Sequence, residues 1–136
     1  MEKFNGLGMN MGNISRLSDA ETRSISPENY NGGKGTGGMA ETGSGAEFAC
    51  DLGRWWKMNP CVEIKAGEVF TIADISGPGV IQQIWMTMAG TARFSILRIY
   101  WDGQEQPSVE CPLGDFFCSG WGELSLIHIS EPTRPY

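Results

Sequence analysis

The pattern of hydrophobic and polar residues changes along the chain near residue 51. Residues 1–50 are rich in Gly, Ser, Asn and Thr, with a run of glycines within residues 32–38. Such a segment cannot bury enough apolar surface to offset its ordering entropy by itself. The pattern therefore predicts a loop-rich N-terminal segment over residues 1–50.

Two local signals refine the prediction for this segment. Ser18 and Glu21 have the spacing of a capping box, which predicts one short helical turn at residues 19–23. The glycine run does not match a phosphate loop, because Gly35 follows the Lys where that motif requires Ser or Thr. We interpret the run as a mobile loop, with a ligand cradle as the alternative.

From residue 61 onward, the hydrophobic period is close to two, as in β-strands. Runs rich in β-branched and aromatic residues are separated by turn signals at residues 66–67, 77–79 and 102–103. The predicted strands occupy residues 62–65, 69–75, 80–88, 94–101 and 109–117, the last of which includes a corner. We therefore expect an all-β domain over residues 51–123, a jelly-roll β-sandwich.

The strand period also assigns faces to the large side chains. In the third predicted strand one face carries Val80, Ile84, Met86 and Met88, and in the fourth one face carries Leu97, Ile99 and Trp101. Trp85 and Trp101 are predicted to be core residues, with sugar stacking as the alternative. The pair Trp55–Trp56 lies just before the sheet, so at least one of these rings should be partly exposed.

Charge and composition exclude several classes of partner. The 136-residue chain has a formal net charge of −6 and no stripe of Lys and Arg, which argues against nucleic acid and an anionic membrane surface as partners. No run approaches the ~20 apolar residues of a membrane-spanning helix. Residues 1–13 lack the features of a secretory signal. We expect a cytoplasmic protein.

Cysteine and histidine usage limits the chemistry that the chain can perform. The four cysteines, Cys50, Cys61, Cys111 and Cys118, form no Cys-x-x-Cys pair, and the single histidine is His128. A zinc site with closely spaced ligands is therefore not expected, nor is a nucleophile paired with histidine. We predict reduced, mostly buried thiols, no metal and no cofactor.

Four segments, in order along the chain, resemble one family of bacterial proteins. They are residues 14–29 (ISRLSDAETRSISPEN), 60–68 (PCVEIKAGE), 74–87 (DISGPGVIQQIWMT) and 96–117 (ILRIYWDGQEQPSVECPLGDFF). The family is glycoside hydrolase family 172, first catalogued as a domain of unknown function, whose members cleave or form α-linked D-fructofuranosides and D-arabinofuranosides. One departure is Tyr30-Asn31, where the family more often has Pro-Thr. The resemblance implies the first of two stacked jelly rolls in a protein that assembles into homo-oligomers.

The end of the chain has a different character. Residues 124–134 (LSLIHISEPTR) do not resemble the family and are similar to the translation of a sequencing adapter. We therefore expect the natural reading frame to stop near Glu123 and residues 124–136 to be a non-native tail. The alternative is a divergent C-terminal segment. On the first interpretation, the chain is the N-terminal fragment of a longer protein.

The resemblance implies a parent enzyme of the retaining glycosidase type, whose substrate is an oligosaccharide with α-D-fructofuranosyl or D-arabinofuranosyl units. A glycosidase needs two carboxyl groups. In the resembled family both lie in the C-terminal half, so no catalytic residue is assigned here and the fragment is expected to be inactive. The alternative is a non-catalytic carbohydrate-binding or structural assembly β-sandwich.

Candidate substrate-binding residues are Arg23, Ser26, Glu28 and Asp115. The first three belong to a polar segment that offers little to a core. Alternatively, Arg23 and Glu28 pair to fix the loop, with Pro27 stiffening it. Asp115 lies between Gly114 and a Phe pair at a strand end, where it either accepts a hydrogen bond from a sugar hydroxyl or anchors the corner.

Overall fold

The computed structural model describes residues 8, 10–49, 52, 54–90 and 92–118. The chain divides into two compact units, Met1–Gly79 and Val80–Tyr136. The boundary predicted after residue 50 lies inside the first unit. In the part of the chain that the structure describes, no helix is long and apolar enough to cross a membrane.

The first unit is built from turns and loops, and its described residues contain one isolated β-bridge, between Ser26 and Asn29. The helical turn predicted at residues 19–23 is wrong, because this segment has no helical hydrogen bonds. The capping-box groups have other partners: the Ser18 hydroxyl accepts a hydrogen bond from the Ala20 amide at 3.4 Å, and Glu21 forms an ion pair with Arg23.

In the segment before the predicted sheet, residues 54–57 are exposed and residues 58–60 are buried or half-buried. Met58 is buried, and its carbonyl oxygen accepts a hydrogen bond from the Gly45 amide at 2.8 Å. Gly45 lies so close that a Cβ atom added there would stand 2.6 Å from Pro60 Cδ. A side chain of any size is therefore excluded at Gly45 while the backbones keep this approach.

The strands predicted at residues 62–65 and 69–75 are not formed in the structure. The turn between them is present: the Glu68 amide donates to the Lys65 carbonyl at 3.0 Å, and Gly67 has a φ of 78°. Val69 is 84% exposed and Ile75 is 57% exposed, so the covered sandwich strand expected here is absent. The reason is that these residues have no hydrogen-bonded partner strand among those the structure describes.

The second unit contains a small antiparallel sheet. Strands β1 (Ile96–Ile99) and β2 (Val109–Pro112) pair with Leu97 opposite Cys111 and Arg98 opposite Glu110. A 3₁₀ helix, Ala92–Phe94, precedes β1, and a single helical turn, α1 (Leu113–Phe116), forms the predicted corner after β2. The described residues are mostly non-helical and contain a small two-stranded antiparallel sheet, which is consistent with the β-rich expectation, whereas the jelly-roll sandwich stays a prediction.

The Asp-Gly signal correctly predicted a turn between β1 and β2. Asp102 and Gly103 both have positive φ values, 50° and 74°, and the Gln104 amide donates to the Trp101 carbonyl at 2.9 Å. Two successive residues with positive φ are typical of a type I′ turn. The Ser108 amide bonds the Ile99 carbonyl at 2.8 Å, which closes the wider loop.

The faces predicted for the second unit are largely confirmed. Leu97 is buried and Ile99 is half-buried, while Arg98 is exposed and bonds Glu110 across the sheet at 2.6 Å. This hydrogen bond and the Glu110 charge raise the pKa of Arg98 above its usual value. Ile84, Met86 and Met88 are half-buried and alternate with exposed neighbours, although no strand is formed there and Val80 is exposed.

Candidate functional site

The best-defined polar site in the first unit is a tight turn at residues 26–29, Ser-Pro-Glu-Asn. The Asn29 amide donates to the Ser26 carbonyl at 2.8 Å, and the Ser26 amide returns a bond to the Asn29 carbonyl at 3.3 Å. Pro27 presets the φ that the second residue of such a turn needs. The Ser26 hydroxyl accepts from the Glu28 amide at 3.3 Å, so Ser26 stabilises the turn itself.

The Asn29 side chain organises the glycine run that follows this turn. Its Nδ2 donates to the carbonyls of Ser24 and Gly33, each at 3.1 Å. Its Oδ1 accepts from the Gly33 amide at 3.0 Å and from the Thr36 hydroxyl at 2.8 Å. Asn29 is the one buried polar residue among those described, and all of its donor and acceptor groups are used. Sequence analysis did not select Asn29, although Asn is a common turn residue.

Glu28 connects the turn to residues 54–60. Its Oε1 accepts a hydrogen bond from the Asn59 amide at 2.8 Å, and the Asn59 Nδ2 donates to the Pro27 carbonyl at 2.8 Å. A carboxylate that accepts a backbone N–H is a strong, directional contact. The turn is therefore fixed against Asn59, a residue that sequence analysis missed because it lies 31 positions from Glu28.

Arg23 does not pair with Glu28, as one interpretation of the sequence expected, but with Glu21. Its guanidinium forms an ion pair with Glu21 and donates to the Thr22 carbonyl at 3.2 Å. The Arg23–Glu28 pair of that alternative is not what fixes the loop, because Glu28 is bound to Asn59. The turn brings Ser26 and Glu28 together, whereas Arg23 precedes it on an exposed segment.

Asp115 belongs to the second unit and lies in α1. Its Oδ2 is 3.2 Å from Arg93 Nη2, a contact that joins α1 to the 3₁₀ helix. Its Oδ1 is buried and has no hydrogen-bond partner among the described residues. One oxygen therefore anchors the corner and the other keeps its acceptor capacity. The role of Asp115 as a sugar hydroxyl acceptor stays a prediction.

The tryptophans are more exposed than the strand period predicted. Trp85 is 72% exposed and Trp101 is 45% exposed, so their assignment to the core was wrong. Trp85 belongs to a segment that no strand covers in the described residues. For the pair before the sheet the prediction was correct, since Trp55 is 70% exposed and Trp56 is 53% exposed.

An open apolar groove of about 460 Å³ lies on the second unit. Its lining comes from residues 81–84, from β1 and β2, and from Trp101, Phe116 and Phe117. Ile99 and Trp101 both line it, which confirms that they share a face. Among the described residues, those that line the groove have no ionisable side chain, and no group of three His, Cys, Asp or Glu could hold a metal ion.

Comparison with known families identifies the relationship of the chain. The family described as GH172 domain-like matches residues 57–130, more than half of the 136-residue chain. The chain belongs to this family. Its relation to glycoside hydrolase family 172, expected from four sequence segments, is thereby shown. No curated protein matches the chain.

The GH172 match includes three of the four resembling segments and begins after the Ser26–Asn29 turn. It contains Asp115, and it excludes Arg23, Ser26 and Glu28. It also includes residues 124–130, which fall within the expected adapter-derived tail. Those residues lie outside the described part of the chain, and the origin of the tail stays a prediction.

Proposed function

We propose that this chain is the N-terminal part of a glycoside hydrolase that acts on α-D-fructofuranosides or D-arabinofuranosides. The observation that carries the proposal is the GH172 match over residues 57–130. Hydrolysis of a glycoside needs two suitably spaced carboxyl groups. We place both of them in a C-terminal half beyond this chain, so the chain alone binds substrate without cleaving it.

The polar N-terminal segment supports a substrate-binding role in this proposal. Glu28 and Ser26 hold the turn in one conformation, and the turn is fixed to Asn59. A preorganised turn loses little entropy when a ligand binds to it. We propose that Arg23, Ser26 and Glu28 contact substrate from this segment, and that Asp115 Oδ1 accepts a hydrogen bond from a sugar hydroxyl.

The test compares the chain with a longer protein, obtained by extending the reading frame past Glu123. Pure chain should release no fructose or arabinose from aryl α-D-fructofuranoside or aryl D-arabinofuranoside, and the longer protein should release one of them. Glu28→Gln in the longer protein should raise KM with a smaller effect on kcat. The matched control is Glu63→Gln, an exposed carboxylate outside the turn. Turnover by the pure chain that Asp115→Asn abolishes would place catalysis within these residues.

A non-catalytic carbohydrate-binding or structural assembly β-sandwich is the second candidate function. The exposed pair Trp55–Trp56 favours it, because such rings can bind glycans or a partner without any reaction. A longer protein that binds furanosides and releases no sugar would support this candidate over the hydrolase.

A further inference from the structure

The pair Trp55–Trp56 is exposed on a segment whose backbone groups are hydrogen-bonded. The Trp55 amide donates to the Gly38 carbonyl at 2.8 Å, and the Met58 amide donates to the Trp56 carbonyl at 2.8 Å. Beyond the pair, buried Met58 binds Gly45 through its carbonyl oxygen. The segment is therefore held on both sides while its two largest side chains face solvent.

The backbone at Trp55 adds a second observation. Its φ is 76°, in the left-handed region that bulky residues rarely adopt. The Gly38–Trp55 hydrogen bond maintains this conformation, and Gly38 stands close to the Trp55 backbone, since a Cβ added to Gly38 would be 3.5 Å from Trp55 Cα. Residues held in uncommon conformations cluster at ligand-binding sites. Here the conformation presents an indole instead of burying it.

Arg54, which directly precedes the two tryptophans in the chain, forms an ion pair with Glu41. Arg54 Nε binds Glu41 Oε1 at 2.5 Å, and both side chains are more than half exposed. An indole next to hydrogen-bonding charged groups matches a sugar ring, which has an apolar face of C–H groups and hydroxyls at its rim.

We infer that Trp55 and Trp56 form a carbohydrate-binding surface, with the sugar ring on the indoles and its hydroxyls bonded to the Arg54–Glu41 pair. This inference rests on the proposed carbohydrate function and adds a binding site outside the Ser26–Asn29 turn. The hydrogen-bonded backbone reduces the entropy lost on binding, because the segment does not have to become ordered when the ligand binds.

The test measures binding of two probes, a D-arabino-oligosaccharide and an α-fructofuranosyl disaccharide, by indole N–H resonances of the full chain, with Val69→Glu present in every sample to limit association. Trp55→Ala and Trp56→Ala should each weaken binding of at least one probe by about tenfold or more. Trp55→Phe and Trp56→Phe should retain most of the affinity, because a flat ring remains. The matched control is Trp85→Ala, which removes an equally exposed indole from the second unit and should leave affinity unchanged.

Wild-type chain that binds neither probe, or unchanged affinity in both alanine variants, would overturn the inference. Equal loss in Trp85→Ala would do the same. If an alanine variant does not fold, the affinities of Trp55→Phe and Trp56→Phe are compared with wild type. Loss of binding in these variants would contradict stacking, because each keeps a flat ring at the position. Self-association that the alanine variants abolish, without sugar binding, would identify a second copy as the occupant.

Activity of the longer protein separates this inference from the proposed function. The longer protein could release furanosides equally well with Trp55→Ala or Trp56→Ala while the chain binds neither probe. That result would support the hydrolase proposal and contradict a carbohydrate-binding surface at Trp55 and Trp56. Probe binding without any release would keep the aromatic surface and support the non-catalytic candidate.

Discussion

At the scale of single residues, one amide side chain organises the N-terminal polar segment. Asn29 bonds two carbonyl oxygens, one amide and one hydroxyl, and all four partners belong to loop residues. Asn29→Ala should lower the free energy of unfolding by about 2–3 kcal/mol, because it removes these bonds and leaves buried groups unsatisfied. Urea unfolding and hydrogen exchange of the Gly33 amide would measure the loss.

A matched control for this prediction lies two positions along the chain. Asn31 is exposed, and its Oδ1 shares the Gly33 amide with Asn29 at 3.0 Å. Asn31→Ala should therefore cost much less than Asn29→Ala. Equal effects of the two substitutions would show that burial of Asn29 does not stabilise the segment.

The importance of Asn29 could be predicted from the sequence only in part. Pro and Asn are common turn residues and a turn is present at residues 26–29, although the sequence analysis did not assign one there. The partners of the amide, however, are backbone groups of Ser24 and Gly33 and a hydroxyl seven positions away. A residue pattern cannot predict which backbone groups the Asn29 side chain binds, because every position carries backbone donors or acceptors. Glu28 was selected as a candidate substrate-binding residue, a role that stays a prediction, and its hydrogen-bond partner Asn59 was not selected.

At the scale of elements, the approach of the loop containing Gly45 to residues 57–60 sets the local packing. A Cβ at Gly45 would lie 2.6 Å from Pro60 Cδ and 3.0 Å from the Lys57 carbonyl oxygen. Gly45→Ala should therefore destabilise the first unit by about 1–3 kcal/mol. The two neighbouring atoms belong to a proline ring and to the backbone, so neither can move aside as the end of a flexible side chain would. Thermal unfolding followed by circular dichroism would measure the change.

Gly37→Ala is the control for that substitution. A Cβ at Gly37 meets nothing within 4 Å. The variant should be unchanged or slightly more stable, because alanine restricts the unfolded chain. If Gly45→Ala were as stable as Gly37→Ala, the close contact between Gly45 and Pro60 would not exist in solution.

Elements that depend on local chemistry were predicted better than elements that depend on distant partners. Asp102-Gly103 and Ala66-Gly67 both form the turns that their residues predict, because glycine supplies a positive φ locally. Residues 69–75 have strand composition and form no strand, because a strand requires a second segment to hydrogen-bond with it. The segment from Ile84 to Met88 was predicted in part. Its residues alternate between half-buried and exposed as expected, but they form no strand hydrogen bonds among the described residues.

At the scale of the whole molecule, large apolar side chains remain on the surface. Exposed examples outside the tryptophans include Leu17, Phe48, Val69 and Phe94. Each described strand also pairs on one side alone, since the described sheet has two strands. Unpaired edges and exposed apolar residues are the two features that promote association between chains. The jelly roll expected of the family would cover both, and this is the part of the fold that local sequence signals cannot specify.

We therefore expect the isolated chain to associate non-specifically, whereas a longer protein that contains the second half forms a defined homo-oligomer. Residues 69–75 and 94–101 are rich in β-formers and carry little charge, which suits edge-to-edge association.

Val69→Glu should increase the monodisperse fraction, because it places a charge in the first of these segments. Thr42→Glu gives the same net charge at an exposed position outside both segments and should have a smaller effect. Size-exclusion chromatography with light scattering would measure both. A sharp 14.9 kDa monomer of the unmodified chain with cooperative unfolding would contradict this expectation and favour a stand-alone binding module.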